Sequence, residues 1–266
     1  MPNHVTCTVE DQVAHVALDR PEKLNGLTLD MLGDLAATAR RLRGDRTLRA
    51  VVLSGNGPSF SAGLDFASVL AKPHRIATAF AHRPWRGTNT FQEACWAWRR
   101  LPVPVVAAVR GHCFGGGLQL ALAADFRLST PDAQWSVLEV KWGLIPDMSG
   151  IQTLAELLGI DVAKRLTMTG DVVSGTEAQA LGLVTEVHDD PYAGALALVE
   201  RLRQRSPDSL AAAKRLFNGR WNSGPRATFA RERSEQLRLL VNQNTTAARR
   251  AAMEKQPPVF APRKRR

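Results

Sequence analysis

The 266-residue chain is short of cysteine, of aromatic residues and of unbroken apolar runs. Its three cysteines, Cys7, Cys95 and Cys113, are widely spaced and make no metal-ligand pattern. An odd, sparse set suits a reducing compartment better than a disulfide framework. No apolar stretch approaches the roughly 20 residues that a membrane-spanning helix needs. Met1-Pro2-Asn3-His4 has neither the basic nor the apolar segment of a secretory leader, so a cytoplasmic location and no membrane partner are expected. Acidic residues are scarce in the last quarter. Residues 196–266 hold 17 Lys/Arg against 5 Asp/Glu, whereas residues 1–195 hold 18 against 20. The net charge of +10 is therefore a C-terminal excess, and such a field favours an anionic partner: a phosphorylated small molecule, a nucleic acid or an acidic surface. That region carries only scattered aromatics, Phe217, Trp221, Phe229 and Phe260, and no stacking motif. An RNA-binding or scaffold role stands as the reading from another class, but no nucleic-acid partner is expected. Pro257, Pro258 and Pro262 argue against a helix at the end, so the last residues read as a solvated basic tail.

What the chain does have is enough apolar content, 44%, for a core, and an alternation of β and α patterns. Thr6–Val9 and Val13–Leu18 read as a hairpin. Thr28 caps a helix whose apolar positions Leu29, Leu32, Leu35, Ala36, Ala39 and Leu42 recur at helical spacing. Arg49–Leu53, Val103–Val109, Phe126–Ser129, Gln134–Val140 and Val184–Val187 read as strands. Phe91–Leu101, Leu118–Ala124, Ile151–Leu158, Val162–Thr169 and Thr176–Leu181 read as helices. Phe66 to Arg86 reads as a mobile loop with short helical pieces. From about Pro191 four helical patterns follow without a strand, near 191–204, 207–218, 225–242 and 245–255. The reading is an α/β core over 1–190, a helical region over 191–256 and a basic, proline-containing tail over 257–266.

Chemistry concentrates at Gly111-His112-Cys113-Phe114-Gly115-Gly116-Gly117-Leu118-Gln119-Leu120. A strand leads in and a helix leads out. The first turn of a helix has unpaired N–H groups at its positive dipole end, and glycine lets another molecule approach the backbone. Phe60-Ser61-Ala62-Gly63-Leu64-Asp65 is a second glycine turn after a strand. Two such turns can aim two backbone N–H groups at one point, the geometry that stabilises charge developing on a carbonyl oxygen. Glu139, among apolar neighbours in a strand-like context, and Asp147, eight residues on in a Pro/Gly turn, are candidate proton-transfer groups, because a carboxyl in apolar surroundings has a raised pKa. Gln119 is an amide on the helix that the glycines open. His112 has no partnered acid or nucleophile in the motif and reads as structural.

The pattern Phe-x-Ala-Gly-x-Asp at Phe60–Asp65, with Gly-x-x-x-Gly-Gly-Gly-x-x-Leu at Gly111–Leu120, resembles the crotonase (enoyl-CoA hydratase/isomerase) superfamily. So do Ala133-Gln134-Trp135-x-x-x-Glu139-x-x-x-Gly143-Leu144-x-Pro146, Arg20-Pro21-x-Lys23-x-Asn25-Gly26 and Ala178-x-x-x-Gly182-Leu183-Val184. The resemblance spans roughly residues 5–260. It implies an α/β fold, a crotonase-like spiral of β-β-α repeats with a C-terminal helical trimerisation region, assembled as homotrimer or hexamer. It implies an acyl-CoA substrate and no cofactor or metal beyond the coenzyme A of that substrate. The amides of Leu64 and Gly116 would form the oxyanion hole of a thioester enolate, and Glu139 would move a proton. Asp147 falls where dienoyl-CoA isomerases of the family carry an acid. Arg20, Lys23, Leu24, Ala62 and Asp65 fall where members bind CoA, and Lys255 and Phe260 are further candidates near a neighbouring subunit's CoA. Gln119 stands where family hydratases have a first glutamate, so it can orient substrate or water but cannot act as a base. That favours moving a double bond over hydrating it. Hydration proper and CoA thioester hydrolysis are the alternatives on the same fold.

Overall fold

The computed structural model describes residues 4–71, 73–220 and 223–264. In chain order it forms β1 (Val5–Glu10), β2 (Val13–Leu18), α1 (Leu29–Gly44), β3 (Ala50–Gly55), α2 (Phe66–Leu70), α3 (Pro73–Phe80), α4 (Thr90–Arg99), β4 (Val105–Val109), β5 (His112–Phe114), α5 (Gly116–Leu122), β6 (Phe126–Ser129) and β7 (Gln134–Ser136). There follow α6 (Gly150–Leu157), α7 (Ile160–Thr169), β8 (Val173–Ser174), α8 (Gly175–Leu181), β9 (Glu186–Val187), α9 (Pro191–Arg203), α10 (Pro207–Arg220), α11 (Pro225–Leu240) and α12 (Gln243–Glu254). Short 3-10 turns lie at Pro21–Lys23 and Leu138–Trp142.

The main sheet has the order β1-β2-β3-β4-β6-β9, antiparallel only at the β1–β2 hairpin. The alternation of side chains along a strand divides its residues between two cores. Ala14, Val16, Leu18, Val51, Leu53, Val105 and Ala107 join the larger core, which includes α1 and α4. Val13, Ala50, Val52, Val106, Ala108 and Leu128 face the other way and are covered by Ala195 and Val199 of α9. The second sheet, β5-β7-β8, stands apart, and an isolated parallel bridge between Ser61 and Cys113 ties the turn after β3 to it. α1 starts where expected, with the Thr28 hydroxyl accepting from the Met31 N–H at 3.2 Å, and Phe66 to Arg86 contains the two short helices α2 and α3.

Two expectations need correction. The strand read over Gln134–Val140 stops at Ser136, because β5 and β8 offer no partner beyond it. The backbone then closes on itself, the N–H groups of Gly143 and Leu144 donating to the carbonyls of Val140 and Glu139. Glu139 is thus on a tight turn, not a strand. The C-terminal tail is not simply solvated: Arg263 is buried, donating to the carbonyls of Leu48 and Asp45, while its own carbonyl accepts from Arg46 Nε at 2.7 Å. Asn244 holds Ala261 through both its N–H and its C=O, so residues 261–264 strap α12 to the loop after α1.

Candidate active site

The two glycine turns meet. Ser61 N–H donates to the His112 carbonyl at 2.8 Å, and Phe114 N–H to the Ser61 carbonyl at 3.0 Å. On the other flank, Leu27 N–H donates to Gly63 O and Asp65 N–H to Leu27 O. Because residues 63 and 65 make that parallel bridge, the Leu64 N–H points away from it. Gly116 opens α5, where the first N–H groups have no partner within the helix. Neither N–H has an acceptor among the described residues. Side chains at these glycines would crowd the turn. Gly115 has φ +49°, and a side chain there would meet the Glu139 carboxylate at 3.3 Å. One at Gly116 would meet Met148 Sδ at 3.0 Å and Leu64 Cγ at 3.6 Å.

Glu139 therefore lies directly beside the glycine turn at 115–117. It is 7% exposed, and its pKa is raised, first by burial and further by the nearby Asp147, against the lowering effect of its hydrogen bonds. Oε1 accepts from Gln119 Nε2 at 2.6 Å, and Oε2 is buried without a partner among the described residues. Asp147 is also raised by burial. Gln119 is 1% exposed and bonded to protein at both ends of its amide. Its Oε1 accepts from Met148 N–H at 2.7 Å and Gly150 N–H at 2.8 Å, which fixes which end faces Glu139. The amide expected to orient substrate or water also links the 147–150 turn to Glu139.

On the loop before α1 and the turn after β3, Arg20, Lys23, Leu24, Ala62 and Asp65 come together. Arg20 bonds Asp65 at 2.6 Å and the Gly26 carbonyl at 3.1 Å, and Ala62 N–H donates to Leu24 O at 2.9 Å. Burial tends to raise Asp65, but the bonds from Arg20 and Ser68 outweigh it and hold the carboxyl below its usual range. Asn25, fully buried, supports this loop by donating to the carbonyls of Asn56 and Ser59. Lys255 and Phe260 lie elsewhere: Lys255 lines a groove with Ser209 and Gln236, and Phe260 sits under the Arg49 guanidinium. Among the described residues no cluster of three potential metal ligands occurs, and no helix is long and apolar enough to cross a membrane. His112 bonds Ser59 Oγ at 2.8 Å, away from any carboxylate partner in that motif.

Three residues carry signals the sequence did not single out. Phe66 and Trp142 pack in a tilted arrangement with ring centroids 5.0 Å apart, linking α2 to the turn that bears Glu139. Ser149 has φ +79°, rare for a residue with a side chain, and its hydroxyl is buried without a partner among the described residues.

Two backbone N–H groups without acceptors, near a buried carboxyl of raised pKa and a loop bearing Arg20 and Lys23, make a class of site suited to proton transfer beside a carbonyl oxygen that gains negative charge. The enoyl-CoA hydratase/isomerase family profile matches residues 8–263. The (E)-benzylidenesuccinyl-CoA hydratase of Thauera aromatica is 32% identical over 213 residues, 79% of this chain and 80% of that one. The protein named "Probable enoyl-CoA hydratase EchA12" of Mycobacterium tuberculosis is 32% identical over 254 residues, 94% of this chain and 89% of its own. The crystal structure of an enoyl-CoA hydratase from Bacillus anthracis superposes with a TM-score of 0.88 at 25% identity, covering 97% of this chain and 98% of that one. The chain belongs to the enoyl-CoA hydratase/isomerase family and has its α/β crotonase fold, with β-β-α units and a helical C-terminal region. It is an acyl-CoA enzyme.

Proposed function

We propose that the enzyme shifts a carbon–carbon double bond along the acyl chain of a CoA thioester. The Leu64 and Gly116 N–H groups receive the thioester oxygen. Glu139 Oε2, the oxygen that Gln119 leaves unbonded, removes a proton from the carbon that becomes electron-rich. The electron pair moves into the conjugated system as an enolate, its charge resting on the oxygen between the two amides. A proton is then delivered to the far carbon, either the same one from Glu139 or one from a protonated Asp147, in which case Glu139 gives up its proton and Asp147 regains one from solvent. Arg20, Lys23, Leu24, Ala62 and Asp65 hold the CoA portion, and the acyl end enters near Phe66 and Trp142.

The arrangement of Gln119 carries this reading. Its oxygen already accepts two backbone N–H groups and one of its two amide N–H groups donates to Glu139, so it has no lone pair left to take a proton from water. A proton shuttle needs only the remaining carboxylates. Hydration is the second reading, favoured by the names of the relatives; it requires Asp147 to activate the water. Exposed apolar side chains on the C-terminal helices, among them Phe229, Leu237 and Met253, support assembly as a trimer or a pair of trimers.

Incubation with 2-enoyl-, 3-enoyl- and 2,5-dienoyl-CoA, with products identified, tests the proposal. A moved double bond that disappears in Glu139→Gln is the expected result. Rapid hydration of 2-enoyl-CoA that survives Glu139→Gln sinks it, and release of free CoA points to a thioester hydrolase.

A further inference from the structure

Away from the thioester site, the ends of α1 and α4, the helices α10 and α11, and the C-terminal strap enclose a groove of about 970 Å³. Ten basic side chains line it and one acidic one, Asp208. Their ion pairs do not balance this. Arg99 meets Glu156, Arg100 meets Glu93 and Lys214 meets Asp125, but Arg215, Arg231 and Arg238 all converge on the single carboxylate of Glu235. Arg43, Arg46, Arg263 and Lys264 have no carboxylate within 4.0 Å among the described residues. Ten cations against these four carboxylates, Asp208 and the nearby Asp45 leave four positive charges unmatched. The buried Arg263 is pinned by two backbone carbonyls, with Asp208 and Asp45 attracting it and Arg215 and Arg46 repelling it.

We propose that this groove is a binding site for an oligophosphate anion, distinct from the CoA site. Guanidinium groups match phosphate oxygens with paired N–H donors, and a concave wall of one sign concentrates such an anion. The volume fits a small ligand. One aromatic ring, Trp96, lines the wall, with the Arg99 guanidinium 4.8 Å from its centre. A single ring does not make the row of stacking platforms that a nucleic-acid strand uses, which is why a compact anion is the better fit. The ligand could be inorganic or the phosphate chain of a nucleotide.

Calorimetric titration of the full-length protein with inorganic triphosphate and with ATP, each with and without saturating CoA, separates the cases. The expected result is one salt-sensitive site per chain for triphosphate that CoA does not displace. Arg43→Ala and Lys264→Ala remove exposed side chains and leave the core intact; each weakens binding by about tenfold, the loss expected for one charge-assisted contact. Arg226→Ala, exposed at the start of α11 outside the groove, leaves it unchanged. Equal affinity for ATP assigns recognition to the phosphates alone; tighter ATP binding that Trp96→Ala abolishes assigns a nucleotide. Displacement by CoA, equal weakening by Arg226→Ala, or binding to an RNA oligonucleotide but to neither small anion overturns the proposal.

Discussion

Replacing Gln119 by glutamate changes one N–H₂ into an oxygen and keeps the shape. In the native protein the amide donates to Glu139 Oε1 at 2.6 Å and accepts from Met148 and Gly150 N–H. In Gln119→Glu the two acceptor contacts persist, but the donor is gone and two carboxyl oxygens face each other at hydrogen-bond distance. With an effective dielectric of about 20, two full charges that close repel by about 6 kcal/mol, so the pair retains one proton through neutral pH. The two backbone N–H groups favour the charge on the introduced carboxylate by about 3 kcal/mol, counting about 1.5 kcal/mol for each bond to a charged group. The proton therefore resides on Glu139, and the population of basic Glu139 falls about 100-fold at neutral pH. Isomerisation should fall by about that factor, with the acid limb of its pH–rate profile moving to higher pH. Hydration of 2-enoyl-CoA should rise relative to isomerisation, since one acid and one base now sit side by side. Stability provides a second readout. A carboxyl whose folded pKa is raised above its unfolded value is fully stabilising at acid pH and loses that contribution as pH rises through the folded pKa. Gln119→Glu should thus match the parent at low pH and fall behind it increasingly toward neutrality. An isomerisation rate and pH profile indistinguishable from the parent's would refute the reasoning.

The parent enzyme has a weaker form of the same dependence: because Glu139 and Asp147 are both raised, chiefly by burial, stability measured by urea denaturation should decline as pH rises from the ordinary carboxylate range through their folded values. Lys214→Met removes an ammonium that bonds Asp125 at 2.6 Å and the carbonyls of Val103 and Trp98, so urea denaturation should show a loss of about 2–4 kcal/mol; a change within about 0.5 kcal/mol would count against the clamp between α10 and the core. Ser149→Gly relieves a left-handed residue and deletes a buried, unpartnered hydroxyl, so the melting temperature should rise, by an amount equivalent to about 1–2 kcal/mol; a lower melting temperature would mean that the hydroxyl is satisfied in solution.

What could be read from the sequence was mostly local. The glycine turns announced themselves because each glycine answers a steric demand within a few residues of a strand end, and their meeting is a consequence of β3 and β4 being parallel neighbours. Glu139 was legible as a carboxyl in apolar company, but its strand was not real: the pairing ends at Ser136, and the apolar residues beyond it fold into a turn. Gln119 was visible as an amide where an acid was expected, whereas its bonds to the 147–150 turn depend on N–H groups 29 and 31 residues away. The strap at Arg263 was illegible for the same reason on a larger scale. Its partners are 215 and 218 residues distant, and nothing in a run of basic residues tells a solvated arginine from one docked on two carbonyls. The charge excess of the last quarter was plain in the composition; its concentration in one groove required α1 and α4 to be brought against α10 and α11.

The most direct test of the account is enolate formation itself, followed as exchange of the α-protons of a saturated acyl-CoA with D₂O, which requires no double bond to move and no water to add. The parent enzyme should catalyse the exchange, and Glu139→Gln should lose it while still binding the thioester. Exchange that persists undiminished in Glu139→Gln would contradict the assignment of Glu139 as the group that moves the proton.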